Sequence, residues 1–168
     1  PPGHAAAEPA RLVVDVVSIE PFEVIALRQT GAFADLDQGY IALFTWATEA
    51  GVVDRISGLY GIPMGDHREM AAADFVFDCA VRLDTDDSPP APMRRLLVAG
   101  GEFACTRHVG AFENIEDHVD RVLALWLPAS GMALRDAPIH HHFLDDPEQV
   151  PEALLRTDIY LPIQSGPD

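Results

Sequence analysis

A chain of 168 residues with 48% hydrophobic side chains is long enough to bury one core, or two small ones that share a boundary. Its 27 acidic against 11 basic residues give a formal net charge of −16, a surface that repels phosphate and excludes nucleic-acid binding by this chain on its own. No apolar run approaches the roughly eighteen residues a membrane helix needs, and no signal peptide opens the chain. Cys79 and Cys105 are far apart and sit in apolar strand-like runs, so both are expected as buried, reduced thiols of a cytoplasmic protein.

Residues 1–10, "PPGHAAAEPA", have the composition of a linker. With no initiator methionine ahead of them, the chain is expected to be the C-terminal piece of a longer protein. "RLVVDVVSI" (11–19) is β-branched and "EVIALRQTG" (23–31) alternates apolar and polar residues, so both predict strands. Leu36, Tyr40, Leu43, Phe44 and Ala47 recur at helical spacing over 35–50, with Gly51 just past the end. "SGLYGIPM" (57–64) and "DFVFDCAVRL" (74–83) predict two more strands, and "LDTDDSPPAP" (83–92) a connector. The order then repeats: strands over 93–100 and 102–110, a helix over about 115–127, and strands over 138–144 and 155–163.

The repetition is literal in places. "LRQTGAF" (27–33) recurs as "TRHVGAF" (106–112), "TWATEAG" (45–51) as "LWLPASG" (125–131), and "FDCAVRL" (77–83) as "TDIYLPI" (157–163). The paired arginines, Arg28 and Arg107, stand 79 positions apart; the paired tryptophans and the paired aspartates stand 80 apart. One unit therefore occurs twice, over about 11–84 and 93–163. Short connections between strands favour antiparallel pairing. The expected fold is α+β: duplicated strand–helix–strand–strand units about a pseudo-two-fold axis, forming one curved antiparallel sheet with two main helices on one face. A cleft between the halves is the natural ligand site.

The paired R-x-x-G-x-F turns, the "WLPASG" helix end and the closing "FLDDPEQVPEALLRTDIYLPI" together resemble the GyrI-like small-molecule-binding domain, over about residues 11 to 163. That domain occurs alone and as the C-terminal effector-binding part of AraC-type bacterial transcription regulators. The resemblance implies a small-molecule ligand, with DNA contacted only through a helix-turn-helix region outside this chain. In the family pattern a pocket glutamate lies two residues before the aromatic of the closing motif, which here puts His141 on the glutamate column and Phe143 at the aromatic. The usual preference for lipophilic cations is thereby put in question, since imidazole both donates and accepts and itself becomes a cation near pH 6.5.

Alternation places His141 with Ile139 and Phe143, and His140 with His142. His140 and His142 have the H-x-H spacing of zinc sites but too few ligands with them for a metal to be expected. By resemblance Asp158 and Tyr160 line the pocket, and the duplication puts Asp78 in Asp158's place. An acid beside an aromatic ring suits an aromatic or cationic guest. Trp46, Trp126, Phe33 and Phe112 are candidate cleft walls, although tryptophan at helical spacing is most often core. Arg28 and Arg107 are expected to hold their turns. No cofactor is expected. An enzyme is the minority expectation: His141 could act as general base with Asp158 orienting it, but no G-x-S-x-G, H-E-x-x-H or phosphate loop is present. Hydrolysis of a small electrophile, or inhibition of another protein as by the family's gyrase-binding namesake, are the alternatives to ligand sensing.

Overall fold

A computed structural model describes residues 12–32 and 35–166, so the expected linker over 1–10 lies outside the described residues. The strands are β1 (Val14–Ile19), β2 (Phe22–Thr30), β3 (Ile56–Met64), β4 (Val76–Leu83), β5 (Arg94–Val98), β6 (Gly101–Val109), β7 (Met132–Leu134), β8 (His140–Phe143) and β9 (Arg156–Ser165). The helices are α1 (Asp37–Glu49), α2 (Ile115–Arg121) and the short α3 (Leu127–Ser130), with residues Val122–Trp126 between the last two forming a π turn. The expected order of elements is present; β7 was not foreseen.

All pairings are antiparallel, in the order β1-β6-β9-β8-β3-β4-β2-β5, with β7 added beside β9. The two halves meet where β3 pairs β8, with Gly61 opposite His141. Those two positions are themselves 80 apart, so they are equivalents facing each other, and the pseudo-two-fold passes between them. The opening strand of each half is exchanged: β1 pairs β6 of the second half, and β5 pairs β2 of the first.

The exchange forces the sheet to curl. β1 and β2, and likewise β5 and β6, lie far apart in the strand order yet are joined by two residues each. Such a link, three residue steps long, spans only about 10 Å, whereas the strands between would place them several 4.8 Å steps apart in a flat sheet. The ends therefore come round to meet. Inside the curl, Phe22, Val24, Ala26, Tyr60, Ala80 and Val98 are buried together. On the outer face α1 packs Leu43 and Ala47 against Ile25, Cys79 and Val81, and α2 packs Ile115 and Val119 against Ile159 and Leu161. Phe143 packs against both outer cores.

The change of offset from 79 to 80 has a local cause. A π turn takes one more residue than an α turn, and the second helix carries one over Val122–Trp126 where the first has none. Both helices then end at left-handed glycines 80 apart, Gly51 with φ 73° and Gly131 with φ 74°.

Where the two crossing links meet, Gly100 lies against the other link: a Cβ there would overlap the carbonyl oxygen of Ile19 and lie 2.7 Å from the Pro21 nitrogen. Backbone on both sides leaves nothing to yield. Gly100→Ala is expected to destabilise the fold by about 2 kcal/mol or more, read by denaturant unfolding; an unchanged midpoint would show that the links do not touch.

Candidate functional site

On the helix-bearing face a groove of about 1340 Å³ runs between α1 and the loop from β8 to β9. Leu36, Tyr40, Ile41 and Phe44 form its α1 wall, Leu59 and Phe77 belong to its floor, and Phe112 and Phe143 come from the second half. The α1 wall follows from helical spacing: Leu36, Leu43 and Ala47 are buried in the core of the first half, and Ile41 and Phe44 widen the apolar stripe toward the loop. The Tyr40 hydroxyl donates to the Tyr60 carbonyl at 2.6 Å, which pins the helix to β3. Phe143 meets Phe112 edge-on at 5.1 Å and Tyr40 at 6.1 Å, so three rings from three elements lock at the junction. Asp145 holds the loop wall, accepting from the Arg156 backbone at 2.8 Å and from its guanidinium at 2.9 and 3.0 Å. Those bonds keep the Asp145 carboxyl below its usual range.

A bridge made on the other side of the pseudo-two-fold has no counterpart at this groove. Arg68, in the loop from β3 to β4, reaches Asp117 at 2.8 Å and Asp120 at 2.9 Å on α2, and is steadied by Asp66. The duplication sets Glu148 in the place of Arg68, and Gln38 and Ile41 in the places of the two aspartates. An acid, an amide and an alkyl chain at those positions offer no ion pair.

His141 lies at the pseudo-two-fold, 4% exposed, with its ring 6.0 Å from Phe143 and 6.5 Å from Phe77. Neither ring nitrogen has a hydrogen-bond partner among the described residues, and the same is true of the Thr157 hydroxyl one strand away. Burial first, then nearby His140 and His108, push the His141 pKa down to about 3. The expectation of a histidine charging near pH 6.5 is therefore corrected: desolvation keeps this ring neutral throughout the physiological range.

With this geometry in view, the chain matches the model of the GyrI-like small molecule binding domain over residues 13–164. The chain belongs to the GyrI-like family. The probable transcriptional regulator YgiV of Escherichia coli (strain K12) is 30% identical over 158 residues, which cover 90% of this chain and 96% of that protein. Among solved structures, the EcmrR C-terminal domain matches with a TM-score of 0.72 at 11% identity, over 92% of this chain and 98% of that one. SAV2435, solved bound to tetraphenylphosphonium, matches with a TM-score of 0.55 at 10% identity, over 90% and 94%. The curved sheet with its two helices is thus the GyrI-like fold.

The residues expected to converge on one hollow of this GyrI-like domain divide between two faces. Phe143 and Phe112 line the groove, and His141 lies against Phe143 and Phe77. Tyr160, Asp158 and Asp78 project from the opposite face: His141 pairs Ile159, and His140 pairs Tyr160. Tyr160 stacks on His140 at 4.6 Å, and Tyr60 on His142 at 4.4 Å. No third ligating side chain joins that H-x-H pair into a metal-binding group among the described residues. Asp158 pairs Arg107 at 2.8 Å, so it does not orient His141. Asp78, its side chain 1% exposed, is held by Arg28 at 2.9 Å and Arg94 at 2.8 Å. The recurring arginines therefore tie β2 to β4 and β6 to β9 across the sheet, where turn-holding was expected. Trp46 and Trp126 pack on the cores of their own halves and do not line the groove. Phe33 lies outside the described residues.

Sequence reasoning placed Tyr40 and Phe44 on the apolar stripe of α1 without assigning them to the site, and did not single out Ile41. Their signal was an apolar stripe on α1 wider than one sheet contact consumes, with Ile41 left 55% exposed.

Two expectations follow from these environments. The His141 ring should show no titration by NMR between about pH 8 and about pH 5; a midpoint near the ordinary histidine value would place the ring in water. Burial alone would raise the Asp78 pKa, but hydrogen bonds from Arg28 and Arg94 overcome it and hold the carboxyl below its usual range. The stability this gives is fully present above the ordinary Asp pKa and is lost as pH falls through the lower folded value. The double variant Arg28→Ala/Arg94→Ala strands a buried charge. It should cost about 3 kcal/mol or more near neutral pH and progressively less in acid, by denaturant titration.

Proposed function

We propose that this chain is the ligand-sensing domain of a bacterial transcription regulator and takes an apolar, aromatic compound into the groove between α1 and the β8–β9 loop. The observation that carries the reading is the groove itself, floored and walled by Tyr40, Phe44, Phe77, Phe112 and Phe143 where the equivalent of the Arg68 bridge is missing. Rings of this kind recognise flat apolar guests by offset or edge contacts. The family's small-molecule description, YgiV's naming as a probable regulator and the tetraphenylphosphonium held by SAV2435 support the same class of guest.

Sensing requires that the guest bind two states of the protein unequally. Tyr40, Phe112 and Phe143 meet across the two halves, so a guest wedged among them changes the fit of one half on the other. The finer form of the proposal is an AraC-type regulator in which a helix-turn-helix region outside this chain contacts DNA in the cytoplasm. A net charge of −16 suits that division of labour, since this chain repels phosphate. Hydrolysis has less support: His141 lacks an orienting acid, Asp158 being on the other face.

Binding of Nile red, a neutral aromatic dye, followed by fluorescence, tests the reading. Phe44→Ala and Phe143→Ala should each weaken it by about tenfold, and Tyr160→Ala should leave it unchanged. A loss at Tyr160 with none at Phe44 would move the site to the other face.

A further inference from the structure

The two halves differ most in chemistry where they meet. The first half places Gly61 and Phe77 beside the pseudo-axis, with the Phe77 ring occupying the space a side chain at 61 would need. At the equivalent positions the second half places His141 and Thr157, one 4% exposed and the other fully buried. Neither His141 nitrogen nor the Thr157 hydroxyl has a hydrogen-bond partner among the described residues. A buried polar atom left unmet is costly, and Gly61 and Phe77 at the equivalent positions have no side-chain polar atom to leave unmet.

The charges around the groove do not supply a counter-ion at that depth. Asp37, Glu49, Asp146 and Glu148 line it as exposed residues, where ion pairs contribute little, and Asp145 is already held by Arg156. Asp78 and Asp158 face the other way and are held by arginines. His141, kept neutral by burial, offers one donor and one acceptor, and the Thr157 hydroxyl offers both. A permanent cation moving inward would shed water and meet no carboxylate. An uncharged ring system with a carbonyl, amide or similar group would meet donors and acceptors that nothing else uses.

Resting on the groove reading above, we propose that His141 and Thr157 select the ligand: it is a neutral aromatic compound whose hydrogen-bonding end passes the Phe143 ring and is received by these two side chains. Phe143 is the layer between, in edge contact with His141 on one side and with Tyr40 and Phe112 on the other.

Triphenylphosphine oxide and methyltriphenylphosphonium have nearly the same shape; the first is a neutral acceptor, the second a permanent cation. Calorimetric titration of the full chain should find the oxide bound tighter by about tenfold. Thr157→Val, which keeps the shape and removes the oxygen, should weaken the oxide several-fold and leave the phosphonium where it was. His141→Gln keeps a neutral donor and acceptor and should keep the order; His141→Glu supplies a buried carboxylate and should reverse it. Thermal unfolding confirms that each variant folds. Tighter phosphonium binding by the unaltered chain overturns the assignment while leaving the groove in place, as does a Thr157→Val variant that binds the oxide unchanged. Failure of both probes on the unaltered chain and on His141→Glu removes the groove reading as well.

Discussion

Everything in this molecule depends on the seam where β3 pairs β8. Three residue pairs make the register, and one of them sets equivalent positions of the duplication, Gly61 and His141, face to face. An antiparallel pair is related to itself by a two-fold axis, so a unit can pair with its own copy at such a seam without new geometry. The seam decides which strands become neighbours, brings α1 alongside the second half's β8, and so creates the space between them.

Departures from symmetry at this seam carry the chemical individuality. A π turn makes the second helix one residue longer. An arginine bridges the first half's loop to the second half's helix, and an acid stands at the equivalent position of the other loop. A glycine filled over by a phenylalanine ring on one side of the axis answers an imidazole and a hydroxyl on the other. Apart from the π turn, each exchange changes side chains while leaving the backbone frame in place, and so the two sides of one duplicated frame differ in chemistry.

The frame was legible in the sequence because its marks are backbone marks. Alternation announced the strands, terminal glycines announced the helix ends, and the recurring arginine, tryptophan and aspartate gave the repeat. The face each strand turns to the helices was not legible. Alternation relates residues within a strand, whereas the relation between strands rests on register, and a slip of one residue turns every side chain over. His141 and Tyr160 were read correctly within their own strands; the pairing of His141 with Ile159 puts them on opposite faces. The groove was hidden for a similar reason. That Glu148 lacks the counterpart of the Arg68 bridge shows only once the folded neighbours of Arg68 are known.

The exchange of β1 and β5 has a consequence of its own. Each half lends its leading strand to the sheet of the other, so neither could be removed without leaving a row of unmet amides along β2 or β6. The halves cannot loosen separately, and the domain should melt as one piece. A change at the middle of the curved sheet therefore bears on both of its ends at once.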